Sequence, residues 1–442
     1  MSTNKENTGI NISVKSFITA ILVIFVLMIL TYGLTFVIPG GGIPFWKWAL
    51  SPILVLGADG NVSLIAVIIF LLVIGGIFNC LDKCGLMQYM LDTITDRFGS
   101  ERYKLLAFVS LFFMCMGSFI GSFEEAVPLV PIVVALAIRL GWDALTGLGM
   151  SLLAIGCGFS AGVCNPFTVG VAQELAGLPM FSGIWFRLIG FALVYALLIG
   201  FLYSYAKRIE KPIDVTQINR HFHKDEKMDK GLKYFAIIML GGILLVLSSV
   251  VITFLQDITM IIVAITFLVA GIVAVVTTGR GGNIFATFLN GVSNVFPAVF
   301  MILMANSIKY TMVEGNILDP ILQGMVATAE TLPRWSVILF IYLIVLTMNF
   351  FISSGSAKAF LLMPLIVPIA ETFGISAQLC IVAFAFGDGF SNVLYPTNPV
   401  LLISLGLVNV DYPKWFKWSF KFQFLNILLT SMLLLAGLVI GY

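Results

Sequence analysis

Two Asn-Pro pairs stand inside otherwise apolar stretches. One lies in Cys164-Asn165-Pro166-Phe167-Thr168, the other in Pro396-Thr397-Asn398-Pro399. Proline removes a backbone donor and clashes with the preceding turn, so a helix opens there. Opening exposes half-helix N-termini, which attract anionic groups, and carbonyls, which attract cations. An Asn beside the break supplies both a donor and an acceptor. One such pair alone reads as a kink whose Asn satisfies the freed backbone. Two of them, each following a polar and Gly-rich stretch, read as a binding site for a small polar molecule.

Those polar stretches carry charges at membrane depth, where charge is costly and defaults to a functional reading. Glu124 and Glu125 are adjacent in Gly121-Ser122-Phe123-Glu124-Glu125, and Lys358 ends Ser353-Ser354-Gly355-Ser356-Ala357-Lys358. The carboxylates suit a proton, a sodium ion or a substrate amine; Lys358 suits a substrate carboxylate. The structural alternative is that Glu and Lys pair and lock the fold. Ser122, Ser353, Ser354 and Ser356 offer hydroxyls, and Gly355 permits close backbone approach. Asp388, in Gly387-Asp388-Gly389-Phe390-Ser391-Asn392, precedes the second break by about two helical turns. It reads equally as an ion or proton ligand and as a cap on a local distortion.

The composition fixes the kind of scaffold that positions these residues. Of 442 residues, 60% are apolar and 10% charged, with net charge +2, where soluble chains carry about 25% charged residues. A soluble enzyme, a disordered chain, a disulfide-stapled domain and a nucleic-acid binder are excluded. The apolar runs are solid for about twenty residues, without strand alternation, so the class is an all-α polytopic membrane protein. The six cysteines lie in or beside apolar runs and read as small core residues. His221-Phe222-His223 reads as a solvated pair, so no metal site is expected. There is no GxxxxGK[ST], HExxH or GxSxG, so neither ATP-driven transport, nor an enzyme, nor a cofactor is expected.

Full-length apolar runs cover 17–38, 62–81, 144–176, 184–206, 234–254, 259–278, 293–312, 376–408 and 420–441. Residues 105–140 and 335–373 are apolar at their ends and polar in the middle. They read as re-entrant hairpins, whose turns survive only where protein or a water-filled cavity covers them. With the N-terminus in the cytoplasm and the C-terminus outside, most of the 24 Lys and Arg fall on the cytoplasmic side, as the positive-inside rule requires. Gly85–Tyr89 and Gly315–Asp319 begin matching interfacial helices. Gly75-Gly76 marks close helix packing, and the aromatic cluster Tyr412–Trp418 reads as a membrane-interface anchor.

Shifting the chain by 233 residues aligns the halves without a gap from about 126 to 186. Ala126 falls on Ala359, Pro131 on Pro364, Gly141 on Gly374, Gly156 on Gly389, Asn165 on Asn398, Pro166 on Pro399 and Trp185 on Trp418. The organisation is therefore an N-terminal repeat over 1–206 with its hairpin near 105–140 and broken helix near 144–176. A cytoplasmic linker at 207–233 and an extra span at 234–254 follow. The C-terminal repeat over 255–442 has its hairpin near 335–373 and broken helix near 376–408. The extra span inverts the second repeat, a topology common in secondary transporters.

Ser122-Phe-Glu-Glu-Ala126, Asn165-Pro-Phe-Thr-Val-Gly-Val-Ala-Gln173, Ala176-Gly-Leu-Pro179 and Gly387-Asp-Gly-Phe-Ser-Asn392 with Pro396-Thr-Asn398 resemble the YfcC-type branch of the DcuC-like anaerobic dicarboxylate carrier family. That family is related to the divalent anion/sodium symporters. The resemblance runs from about 17 to 440. It implies secondary transport by an elevator motion, in which hairpins and broken helices slide as a transport domain against a scaffold of the other spans, and a homodimer. It implies a site at Ser122, Glu124, Glu125, Asn165, Thr168, Ser354, Gly355, Thr397 and Asn398, with amino-acid or dicarboxylate substrates. The Ser-Asn-Thr hairpin motif of the sodium symporters is absent from both tips, so sodium coupling is not carried over.

The expectation is a secondary active transporter, symporter or exchanger, of the cytoplasmic (inner) membrane. Its cargo is a small charged metabolite, foremost an amino acid such as a basic amino acid. Its substrate-binding residues are Ser122, Glu124, Glu125, Asn165, Thr168, Ser354, Gly355, Ser356, Lys358, Thr397 and Asn398. Glu124, Glu125 and Asp388 are candidates for coupling to Na+ or H+. A four-carbon dicarboxylate carrier is the first alternative and an ion channel the second. Two unlike hairpins argue against a channel, which repeats one pore loop.

Overall fold

The computed structural model describes residues 14–58, 62–98, 101–121, 123–179, 181–211, 225–248, 259–329 and 331–442. No strand occurs among them, and eight of their helices are long and apolar enough to cross a membrane. Five of the eight coincide with full-length apolar runs, and Arg102–Ile120, Arg334–Phe351 and Gly355–Thr372 are arms of the two polar-centred stretches. A helix pairs each backbone N–H and C=O within its own segment, as hydrocarbon demands.

The helices sort into two groups. Val14–Val37, Val62–Lys83, Glu226–Ser248, Thr259–Thr278 and Ile284–Glu314 pack on one another. Small residues set their spacing: a Cβ on Gly291 would fall 2.3 Å from the Gly75 carbonyl oxygen, so the helices there touch backbone to backbone. The Gly75-Gly76 expectation holds. The second group contains the two polar-centred stretches, the two helices with Asn-Pro pairs, and the long helices Ile184–Ile209 and Tyr412–Ile440, which pack together.

Each polar-centred stretch is a helix, a turn and a helix. The first runs Arg102–Cys115, a widened turn Met116–Ile120, Gly121 at φ +78°, a tight turn Glu124–Leu129, then Val130–Arg139. The second runs Arg334–Phe351, a short non-helical tip, then Gly355–Thr372. An arginine at the start of each stretch reaches a carbonyl just past its end. Arg102 Nη1 donates to Leu140 O at 3.1 Å, and Arg334 Nη2 to Gly374 O at 2.8 Å. Both stretches thus leave the bundle at the end where they join it.

The linker is shorter than its composition suggests. Ile184–Ile209 continues past 206, and the next helix begins at Glu226. Asp225 Oδ1 caps that helix, accepting from Lys227 N at 2.9 Å and Met228 N at 3.3 Å, and Lys230 pairs with Glu226 at 2.7 Å. Charges at helical spacing support a helix as well as they solvate a loop. His221 and His223 lie outside the described residues. The shorter helices Leu86–Phe98 and Leu318–Ala329 stand where interfacial helices are expected. On the first of them, Tyr89 donates to Asp229 at 2.6 Å, and burial pushes its phenol above the usual tyrosine range.

Candidate functional site

Both helices that hold Asn-Pro pairs are broken at the pair. The first consists of Ala144–Leu148, a widened stretch Gly149–Leu153 and Ala154–Ser160. After five irregular residues it resumes at Pro166–Gly170 and Val171–Leu175. The second runs Ala377–Gly389, a tight turn Phe390–Val393, and then Pro399–Leu407. In each, Asn is the N-cap of the resumed helix and Pro its first residue, where the missing N–H costs nothing. Asn165 Oδ1 accepts from Phe167 N (2.9 Å) and Thr168 N (3.2 Å); Asn398 Oδ1 accepts from Val400 N (2.9 Å) and Leu401 N (3.4 Å). The two breaks therefore share one chemistry.

The broken helices cross at their small residues. Cβ atoms on Gly156 and Gly389 would fall 2.7 Å from Val393 Cγ1 and 1.9 Å from Ser160 N. The tips then exchange sides. Glu124–Leu129 packs against Pro399–Leu407, while Gly355–Thr372 packs against Pro166–Gly170 and Val171–Leu175. Each hairpin tip is thus set beside the resumed helix of the opposite half.

Hairpin one closes on the first break. Ser118 Oγ donates to Ala161 O (2.7 Å) and accepts from Val163 N (3.0 Å), and Asn165 Nδ2 donates to Gly117 O at 3.4 Å. A side chain on Gly121 would strike Asn165 Oδ1, since its Cβ would lie 2.3 Å away. Ser122 and the side chains of Glu124 and Glu125 lie outside the described residues. The backbone of the two glutamates begins the Glu124–Leu129 turn.

Hairpin two brings its lysine to the second break. Lys358 is fully buried, with its ammonium 2.5 Å from Asp388 Oδ1 and bonded to Asn349 Oδ1. Asn349 Nδ2 in turn donates to Asp388 O (2.9 Å), Ser391 Oγ (2.6 Å) and Asn392 Oδ1 (3.0 Å). Asn398 Nδ2 also donates to Asn392 Oδ1, at 3.0 Å. A continuous polar chain therefore runs from the hairpin-two lysine to the second N-cap. Asp388, two-sided in the sequence reading, is the partner of Lys358. Gly355 lies against Asp388 and Thr168, because its Cβ would be 2.7 Å from Asp388 Oδ2 and 2.5 Å from Thr168 Cγ2. Ser354 caps its helix, accepting from Ala357 N at 3.4 Å, and is exposed, while Ser356 is half-buried.

Three buried polar atoms of this assembly have no hydrogen-bond partner among the described residues: Thr168 Oγ1, Asp388 Oδ2 and Thr397 Oγ1. Buried polar atoms are otherwise nearly always paired. All three belong to residues singled out from the sequence; Thr168 and Asp388 both lie against Gly355 of hairpin two, and Thr397 directly precedes the second N-cap.

Some contributors are absent from the sequence reading. Asn349, in Thr347-Met348-Asn349-Phe350, and Ser118 are lone polar residues in apolar runs, which is their only sequence signal. Arg187 is not singled out from the sequence. It is buried and donates to Val163 O (3.0 Å), Ser182 O (2.8 Å) and Phe181 O (3.2 Å), which holds the irregular stretch before Asn165. Arg187→Met, which leaves those carbonyls without a charged donor, should cost about 3 kcal/mol. Thermal unfolding in detergent reads this, and an unchanged midpoint would refute it. The aromatic cluster needs correction. Trp415 is fully buried and Nε1 donates to Val393 O (2.7 Å), while Tyr412 OH donates to Leu394 O (2.9 Å). These two side chains satisfy carbonyls freed at the second break instead of anchoring an interface, because a break leaves backbone acceptors that need donors.

The comparisons bear on the arrangement as a whole. The family model described as DcuC, C4-dicarboxylate anaerobic carrier, matches residues 49–439. A protein of Escherichia coli (strain K12) named "Putative basic amino acid antiporter YfcC" is 29% identical over 400 residues, 86% of this chain and 78% of that one. An uncharacterized protein of Haemophilus influenzae is 26% identical over 389 residues, covering 85% of this chain and 76% of its own. The crystal structure of the Alcanivorax borkumensis YdaH transporter is similar at a TM-score of 0.47 and 17% identity, covering 96% of this chain and 99% of that one.

Proposed function

The chain belongs to the C4-dicarboxylate anaerobic carrier family, and on that premise we propose that it exchanges or symports a small charged metabolite, foremost a basic amino acid. It is an integral membrane protein of a transporter family. The observation that carries the substrate reading is the pairing of both charge signs with unspent polar atoms at one place. Lys358 and the half-helix start at Asn398 favour a carboxylate, while Asp388 Oδ2, Thr168 Oγ1 and Thr397 Oγ1 offer acceptors for an ammonium. An amino acid uses both. The name of the Escherichia coli relative, a basic amino acid antiporter, agrees. The family description favours the second reading, a four-carbon dicarboxylate, which would use only the positive features.

The mechanism that fits is an elevator built on inverted repeats. Two features support the repeats. The crossing is reciprocal at the sequence offset, with Gly156 on Val393 and Gly389 on Ser160, and the hairpin tips exchange sides. The moving domain is the group of hairpins and broken helices, sliding on the Val14–Val37 group, in a homodimer of the inner membrane with the N-terminus cytoplasmic. Ser122, Glu124 and Glu125 complete the site from hairpin one. Glu124, Glu125 and Asp388 are the groups available for coupling to Na+ or H+.

Counterflow in proteoliposomes tests the reading. Vesicles loaded with unlabelled arginine or ornithine should accumulate labelled arginine above equilibrium, and vesicles loaded with succinate should not. Counterflow of succinate alone would replace this reading with the dicarboxylate one. No counterflow of any charged metabolite by a folded, inserted protein would overturn both.

A further inference from the structure

Lys358 is an unusual residue for its position. It sits one turn inside the N-terminus of Gly355–Thr372, the end where the helix dipole disfavours a cation. It is fully buried, where an ammonium survives only with excellent partners. Those partners are oxygens alone, Asp388 Oδ1 and Asn349 Oδ1. The amide of Asn349 is oriented with its oxygen toward the lysine by three acceptors that share the two N–H groups of its nitrogen. The second carboxylate oxygen of Asp388 is left without a partner among the described residues. A pair kept only to lock the fold would satisfy both carboxylate oxygens, since a half-satisfied buried network is worse than an apolar core.

An anionic carboxylate oxygen and an oriented amide oxygen are ligands of the kind that hard cations take, carboxylate and Asn carbonyl oxygens. We propose that this is a cation seat whose occupant is built into the chain. The Lys358 ammonium fills the position that a free alkali cation would otherwise take, so the protein needs no sodium ion there. The link from the seat through Asn392 to the Asn398 cap ties its occupancy to the geometry of the second break. The consequence for transport rests on the carrier reading above; the seat itself does not.

The test removes the tethered cation and offers free ones. Wild type, Lys358→Ala and Lys358→Ala/Asp388→Ala are purified in choline chloride and melted in detergent with rising NaCl, LiCl, KCl or methylammonium chloride. A ligand that binds only the folded state raises the midpoint. Lys358→Ala should gain a saturable rise of several degrees with at least one of these cations, and wild type and the double variant should show none. Counterflow by Lys358→Ala should rise at least tenfold with that cation.

A folded Lys358→Ala that responds to no cation would overturn the proposal. So would a single variant that fails to fold in every salt while the double variant folds, because free cations could not then replace the lysine. If neither variant folds in any of these salts, free cations cannot replace the lysine, and that too overturns the proposal. If no substrate gives counterflow, the carrier reading fails, and the melting response still decides the seat.

Discussion

Asn165→Ala and Asn398→Ala should each reduce counterflow to less than a tenth of wild type while leaving a folded, monodisperse protein. Each Asn oxygen accepts two N–H groups of the helix that resumes after its break. Loss of such a cap costs roughly 1 kcal/mol, which a polytopic bundle tolerates. Function is more sensitive. The Asn398 nitrogen is the last link of the chain from Lys358 through Asn349 and Asn392, so its loss frees the break from the buried charges. A tenfold loss needs only about 1.4 kcal/mol of misplacement at the site. Asn398→Asp separates the two roles, keeping an oxygen cap and deleting the donor to Asn392. It should transport as poorly as Asn398→Ala and melt below wild type, because its second carboxylate oxygen faces the Asn392 oxygen. Normal uptake by the alanine variants would remove both breaks from the site.

Gly389→Ala should prevent a stable fold. Its Cβ would lie 1.9 Å from Ser160 N and 2.0 Å from Ser160 Cα, so the obstacle is backbone, which cannot rotate away. Overpacking typically costs about 1–3 kcal/mol where side chains yield; here at least the upper end is expected. Gly156→Ala, at the matching position, meets the Val393 side chain at 2.7 Å and should be milder. Gly200→Ala is the control, with nothing within 4 Å of its Cβ and a helical setting that favours alanine. Size-exclusion profiles and melting midpoints of the three variants check the order. A Gly389→Ala protein as stable as wild type would mean that the two broken helices do not cross there.

Much of this architecture was legible in the chain because membrane folding has few options. Apolar runs must be helices, so their rough bounds follow from the sequence. Proline alone does not break such a run, since Pro297, Pro364 and Pro368 lie inside continuous helices. The Asn beside Pro166 and Pro399, which can cap a resumed helix, made both breaks visible; the polar centres of both hairpins were visible too. Helix ends were less legible, because charged residues at helical spacing extend a helix, as at Glu226, or solvate a loop. What only the tertiary structure decided was pairing. The sequence marked Lys358 and Asp388 as costly buried charges thirty residues apart. Their union needs hairpin two folded against the second broken helix. Asn349 carries no local signal, since its role exists only where three segments meet. Tyr412 and Trp415 look like interface aromatics by type, yet carbonyls freed by the distant break turn them inward. Local rules fix which groups need partners, whereas the crossing at Gly156 and Gly389 decides which partners come within reach.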